Sequence, residues 1–142
     1  MNSSSAASDY LAEILTAFDC QTGTIHFGPD ENELLHLAAQ HGIPDFLLEK
    51  ISTIPLGKGI AGAAAATRKP VEHCNLQENL GAVAQPAARE TGVAGSLAVP
   101  IFSLNGSQVI GTLGIGKHVP YAFSHTEKQS LAEWAQRIAE IV

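Results

Sequence analysis

The stretch SLAVPIFSLNGSQVIGTLGIG, residues 96–116, decides the fold. Apolar side chains alternate in both halves of it, which is the period of a β-strand that buries one face. Between the halves, Asn105-Gly106 is typical of a two-residue hairpin turn with positive φ at both positions. The stretch therefore predicts an antiparallel hairpin, with Thr112 and Gly114 on the face opposite the core. The core-facing set is Leu97, Val99, Ile101, Leu113 and Ile115.

Length and composition predict one soluble domain. The chain has 142 residues, 45% of them hydrophobic and only 15% charged, which is too apolar for a disordered chain. A net charge of −6 argues against nucleic-acid partners and anionic membranes. No apolar run approaches the ~20 residues that span a bilayer, and the N-terminus lacks a secretory signal. We therefore expect a cytoplasmic protein.

The sequence before the hairpin predicts helices and short strands. Residues 1–7 are rich in Ser and Ala and are expected to be frayed. An amphipathic helix with Leu11, Ile14 and Phe18 on one face follows from residue 8. Two strand candidates, residues 24–27 and 34–40, suit a second hairpin.

The C-terminal part predicts a final helix. Ser124 to Glu127 has the pattern of a capping box, and the helix that it opens carries Leu131, Trp134 and Ile138 on one stripe. Two helical segments and a strand at residues 70–74 precede the hairpin. The order predicts an α+β domain around a mostly antiparallel sheet.

Five pieces in this order resemble a GAF domain. They are IPLGKGIAG at residues 54–62, KPV at 69–71, GSLAVPI at 95–101, VIGTL at 109–113 and the final helix. The resemblance covers one domain, residues 8–142. It implies a profilin-like, six-stranded antiparallel sheet, with the terminal helices on one face and a ligand-pocket lid on the other.

The resemblance also implies a sensory role. Members of the family bind cyclic nucleotides, tetrapyrroles, haem, amino acids or other metabolites, and they usually signal through an attached output domain. Because this chain shows no output domain, we expect a separate signalling partner. The family commonly dimerises through its terminal helices, and we expect a homodimer here. Small or apolar residues remain for that contact: Ala6, Ala7, Ala12, Ala132, Ala139 and Ile141.

The candidate ligand site is the segment 75–95, which corresponds to the pocket lid of the family, together with the sheet beneath it. Its glycines and Pro86 oppose regular structure, and loops over a rigid sheet commonly carry binding groups. Arg89 is the fixed positive charge of the segment and favours an anionic ligand. The predicted ligand-binding residues are Cys74, Asn75, Gln77, Arg89, Ser96 and Thr112.

Two motifs point to nucleotides but fit other roles better. GKGIAG at residues 57–62 matches the G-x-G-x-x-G string, yet a dinucleotide site needs a βαβ unit, so we interpret it as a tight turn into a close-packed helix. Cyclic-nucleotide-binding relatives carry Asn-Lys and Phe-x-x-x-Asp-Glu. This chain keeps Lys117 and Phe123, has Glu127 for the aspartate, and lacks the asparagine and the final glutamate. In the family the lysine and the acid pair, which implies a Lys117–Glu127 ion pair.

Three alternatives stay open at this point. A structural dimerisation module without ligand is one. The second is a free methionine sulfoxide reductase, although that family uses three cysteines and this chain has only Cys20 and Cys74. The third is haem, which needs a single axial histidine. The six histidines show no metal-site spacing, so neither a metal nor a catalytic group is predicted, and the cofactor is left unknown.

Overall fold

The computed structural model describes residues 3–73 and 94–141. Four helices and six strands lie in these two parts of the chain. None of the helices in them is both long and apolar enough to cross a membrane. The elements are α1 (Ser3–Phe18), β1 (Thr22–Phe27), β2 (Leu34–His41), α2 (Asp45–Ile51), β3 (Thr53–Pro55), α3 (Gly59–Thr67), β4 (Val71–His73), β5 (Gly95–Phe102), β6 (Val109–Lys117) and α4 (His125–Ala139).

The strands form one six-stranded sheet in the order β3-β2-β1-β6-β5-β4. Every neighbouring pair is antiparallel, so the predicted α+β architecture is confirmed. β3 was not predicted, because Pro55 indicated a break. It is an edge strand, and a proline is tolerated at an edge because its missing N–H is not needed for a second ladder.

One face of the sheet carries the main hydrophobic core under α1 and α4. We call it the helix face, and it includes Leu97, Val99, Leu113 and Ile115, as predicted. The helices contribute a buried stripe, and burial of these apolar groups is the main favourable term for this face. That stripe consists of Leu11, Ile14, Leu15, Phe18, Leu131, Ala135 and Ile138.

The start of α1 corrects one expectation. The helix begins at Ser3, so residues 3–7 are helical and not a frayed tail. Ala7 is completely buried in the core, which explains the extension, because packing against the sheet stabilises a helix more than its propensity does.

Trp134 also differs from its expected place in the core. It is only partly buried, with its ring edge-on to Tyr10 at 6.2 Å and under the Arg137 guanidinium at 4.7 Å. The helical stripe is therefore centred on Leu131, Ala135 and Ile138, and Trp134 lies at its border beside α1.

The hairpin between β5 and β6 has a longer turn than predicted. Only Gly106 of the Asn105-Gly106 pair has a positive φ, at 73°. The Asn105 Oδ1 instead accepts hydrogen bonds from the Ser103 hydroxyl and from the Ser107 backbone N–H. A short polar side chain that bonds its own loop replaces the two-residue turn with an Asx-type loop.

The glycines of GKGIAG make a turn into α3. Gly57 and Gly59 have φ values of 86° and 65°, a region that glycine enters without steric cost. A Cβ on Gly62 would lie 2.5 Å from the Pro55 carbonyl oxygen, so only glycine fits there. The preceding strand β3 belongs to an antiparallel pair, which fits the tight-turn interpretation and not a dinucleotide loop.

The predicted capping box at the start of α4 is present. The Ser124 hydroxyl accepts from the Glu127 backbone N–H at 3.1 Å, and Glu127 accepts from the Ser124 N–H at 2.8 Å. Glu72 on β4 ties the same end of α4 to the sheet. It accepts from the Phe123 N–H at 2.6 Å and from the Lys128 ammonium at 2.7 Å.

Lys117 does not pair with Glu127. Its ammonium is buried and donates to the carbonyl oxygens of Phe18 and Asp19, both at 2.8 Å, and it lies 4.7 Å from the centre of the Tyr121 ring. Glu127 instead accepts from the Tyr121 hydroxyl. The lysine therefore caps the C-terminal end of α1, where unpaired carbonyls and the helix dipole favour a cation.

Candidate functional site

The side of the sheet away from α1 and α4 is the candidate ligand-binding side, and we call it the far face. Successive residues of a strand point to opposite faces, so the neighbours of the core residues lie here. Thr24 and His26 of β1, Thr112 and Gly114 of β6, and Ser96 and Ala98 of β5 all belong to it. α2 and α3 contribute the buried residues Leu47, Ala63, Ala64 and Ala65, which lie outside the main core.

The centre of the far face is not fully covered. β1, β6 and β5 are inner strands, yet Thr24, Gly114 and Ser96 keep partial solvent access. Of the described atoms, those within 4 Å of a Cβ on Gly114 are Thr24 Oγ1 at 3.3 Å and Leu97 O at 3.9 Å. Small and polar side chains thus occupy the middle of this face, where a larger apolar layer would have excluded solvent.

Two predicted site residues lie on this face, at different places. Ser96 pairs with Gly116, and Thr112 pairs with Pro100, which places them four positions apart along β5, or ~13 Å at the usual strand rise. Ser96 is half-exposed, whereas Thr112 is buried. The other predicted residues, Cys74, Asn75, Gln77 and Arg89, lie outside the described residues, as does most of the segment 75–95.

The two ends of that segment leave the sheet side by side. β4 ends at His73, which pairs with Ser96 near the start of β5. His73 is buried on the same side as Ser96. The chain between them thus starts and finishes next to the partly accessible centre of the far face.

His26 is a polar residue of this face that was not among the predicted ligand-binding residues. It is only 1% exposed, and its Nε2 lies 2.8 Å from the Ile51 carbonyl oxygen at the end of α2. Among the residues that the structure describes, its Nδ1 has no hydrogen-bond partner. Burial lowers the pKa of the His26 imidazole below its ordinary value of 6.5, so the ring is neutral at physiological pH. The available sequence signal was its place in β1 on the opposite face from Ile25.

The buried imidazole predicts a loss of stability in mild acid. Because the folded-state pKa is lowered, the unfolded chain binds the proton more readily, and the free energy of unfolding falls as the pH drops below 6.5. Thermal unfolding between about pH 7.5 and 5 should show this decline. His26→Phe should flatten this pH dependence of stability. His26→Gln is the replacement variant if His26→Phe folds poorly. His118→Gln, at an exposed histidine, should leave the profile unchanged. An equally steep profile in His26→Phe would refute the assignment.

The thiol and histidine candidates do not assemble into a reactive centre in the described parts of the chain. Cys20 is buried on the helix face, and burial raises the pKa of its thiol to about 11. His36 shares the face of Phe27 and bonds Asp30 at 2.6 Å, so it lies on the opposite face from His26. Within residues 3–73 and 94–141, no three His, Cys, Asp or Glu side chains come together to hold a metal ion.

The comparisons with known proteins identify the family. The GAF domain family matches the chain over residues 2–142. This chain therefore belongs to the GAF domain family, as its sequence resemblance predicted. No curated protein matches it in sequence.

Solved structures show the same fold at low sequence identity. The GAF domain of an Acinetobacter phosphoenolpyruvate-protein phosphotransferase is 15% identical with a TM-score of 0.81, and the match covers 99% of this chain and 82% of that one. Free methionine-R-sulfoxide reductase from Neisseria meningitidis, solved with its substrate, is 21% identical with a TM-score of 0.80, covering 98% and 77%. The type II enzyme from Thermoplasma acidophilum is 20% identical with a TM-score of 0.76, covering 98% and 91%. At these identities the likeness concerns the fold alone.

Proposed function

We propose that this protein is a sensory domain that binds a small metabolite on the far face and reports it to a separate partner protein in the cytoplasm. The observation that carries the proposal is the partly accessible, polar centre formed by Thr24, Gly114 and Ser96. Ligand sites use few polar groups on a largely apolar lining, and the small and polar residues of this face fit that description. A purely structural domain gains stability by covering such a surface with larger apolar side chains.

The predicted residues of the segment 75–95 complete the proposed site. The segment starts and ends beside this partly accessible centre, because His73 pairs with Ser96. Cys74, Asn75 and Gln77 follow His73 directly and supply orienting groups. Arg89 supplies a bidentate donor for a carboxylate or phosphate, which favours a ligand with an anionic end.

A ligand screen by thermal unfolding tests this function. The panel contains cyclic nucleotides, amino acids, carboxylic acids, tetrapyrroles and haem. A true ligand at a hundred times its dissociation constant stabilises the fold by about 2.7 kcal/mol, or ~8 °C in Tm for a domain of this size. Gly114→Val places methyl groups at the centre of the far face and should abolish the shift while the strand persists. A panel-wide absence of shifts would favour the dimerisation module without ligand. Equal shifts in both proteins would show that the ligand binds elsewhere and would overturn the proposed site.

The reductase alternative lacks a second usable thiol. Two structural neighbours are free methionine sulfoxide reductases, and the family resemblance implies three cysteines for that chemistry. Here Cys20 lies in the main hydrophobic core on the helix face, and burial raises the pKa of its thiol. Cys20 is therefore a poor resolving thiol for Cys74. We expect no thiol-dependent reduction of free methionine sulfoxide. Turnover that disappears in Cys74→Ser would establish the enzyme instead.

The proposal includes a homodimer through α1 and α4. Of the residues expected at that contact, Ala7 and Ala139 are buried in the core, so they are unavailable. Ala12 and Ala132 are exposed, and such small residues allow close approach of a second helix pair.

Light scattering at tens of micromolar measures the assembly. We expect a dimer of the 14.9 kDa chain. Ala132→Glu should shift it to monomer, because a charge then lies in the helix contact. Ala66→Glu, at an exposed alanine of α3, should remain dimeric. A monomeric wild-type protein at that concentration would remove the dimer from the proposal.

A further inference from the structure

On the far face, two neighbouring residues each carry a buried polar atom that has no hydrogen-bond partner among residues 3–73 and 94–141. The atoms are His26 Nδ1 and Thr112 Oγ1. Their residues face each other across β1 and β6, and each is only 1% exposed. Buried polar groups are nearly always hydrogen-bonded, so two exceptions on neighbouring residues indicate a group that the described parts of the chain do not supply.

The chemistry of that missing group follows from the imidazole. The Ile51 carbonyl can only accept, so His26 Nε2 carries the hydrogen and donates it. The neutral ring therefore presents Nδ1 as a bare acceptor. The Thr112 hydroxyl can donate or accept. A single group that satisfies both must donate to Nδ1 and also exchange a hydrogen bond with Oγ1.

We infer that His26 and Thr112 form a subsite for an uncharged donor–acceptor group of the ligand, a hydroxyl or an amide. The inference rests on the proposed function and deepens it, since it assigns the neutral end of the ligand to this pair. A carboxylate offers acceptors alone and leaves Nδ1 unpaired, so a carboxylate end of the ligand belongs elsewhere. His26 and Thr112 thereby set specificity for a ligand that carries both kinds of group.

An irregularity in the backbone next to His26 supports the assignment of a subsite there. The register between β1 and β2 shifts between Ile25 and His26, where β2 has one extra residue. Such bulges re-aim side chains and are frequent next to functional sites. The irregularity therefore falls in the ladder beside the His26 imidazole.

Acetamide and acetate are a matched pair of probes, because they have the same shape but acetate lacks a donor. Nitrogen-15 NMR of the imidazole reports whether Nδ1 accepts a hydrogen bond. We expect acetamide to shift the His26 Nδ1 resonance saturably and acetate to leave it unchanged. Thr112→Val should weaken acetamide binding about tenfold, the usual effect of one hydrogen bond. Thr112→Ser should retain it.

Thr22→Val is the control for a buried threonine, since the Thr22 hydroxyl already bonds the Gly116 carbonyl oxygen at 3.4 Å. It should not alter acetamide binding. Equal shifts with acetate, or an Nδ1 already hydrogen-bonded in the free protein and unmoved by acetamide, would overturn the subsite, the latter by showing a fixed water. A natural ligand that binds with no effect of Thr112→Val would overturn the subsite and leave the proposed function intact.

Discussion

Leu113→Ala is expected to lower the free energy of unfolding by about 4 kcal/mol. Leu113 is fully buried at the centre of the sheet, between Ile25 of β1 and Val99 of β5, and it faces the core under α1 and α4. The substitution removes buried methyl groups and leaves a cavity that six close-packed strands cannot collapse. Chemical denaturation followed by circular dichroism measures the loss.

Leu104→Ala is the matched control. Leu104 lies in the loop between β5 and β6 and is 69% exposed, so its truncation should change stability by no more than ~0.5 kcal/mol. Leu113→Val gives a milder change if Leu113→Ala does not fold. A loss below ~1 kcal/mol for Leu113→Ala would contradict the assignment of this residue to the core.

Lys117→Met is expected to cost about 3 kcal/mol, because two charge-assisted hydrogen bonds to Phe18 O and Asp19 O disappear together. Methionine keeps the length and apolar stem of the side chain but cannot cap the carbonyls of α1. Lys117→Met should lower the stability of the whole domain and should also destabilise the end of α1 locally. Hydrogen exchange should therefore accelerate most in the last turn of α1.

Lys69→Met removes an equal charge at an exposed position and should leave both readouts near their wild-type values. Glu127→Gln separates the two models of this region. If Lys117 depended on an ion pair with Glu127, that variant would reproduce the loss at α1. We expect instead a change confined to the N-terminal end of α4, where Glu127 accepts from Ser124 and Tyr121.

Local patterns in the sequence predicted the central part of the fold. Alternation in residues 96–116 placed Leu97 and Leu113 on one face and Thr112 on the other, because a buried face imposes period two on each strand. The capping box at Ser124 was equally readable, since it needs only residues three apart. Features of this kind depend on residues that are close together in the sequence, so the amino-acid pattern shows them directly.

The structure differs from the sequence-based expectations where packing joins residues that are far apart in the sequence. β3 was missed because its three residues include Pro55 and gain their structure only by pairing with β2. The early start of α1 depends on burial of Ala7 against the sheet. Lys117 could not be assigned to α1 because the carbonyls that it caps lie 98 and 99 residues away.

The candidate site was only partly predictable, because it too depends on contacts between distant parts of the sequence. Strand alternation places Ser96 and Thr112 on the far face, but it does not give their separation along the sheet. His26 meets Thr112 only through the register of β1 and β6, and its bond to Ile51 requires the fold of α2 over that face. The hydrogen bonding and burial of His26 thus depend on β1, β6 and α2, and the sequence alone does not show that these three elements are in contact.

Native mass spectrometry of the protein purified gently from its source tests whether the far face binds a metabolite, because a retained ligand reveals its own mass. We expect an added small-molecule mass on the wild-type chain. The same added mass should be absent from Gly114→Val, whose side chain fills the centre of the far face, and reduced in Thr112→Val. A bare 14.9 kDa chain, or an added mass that persists unchanged in Gly114→Val, would contradict the claim that this face binds a metabolite.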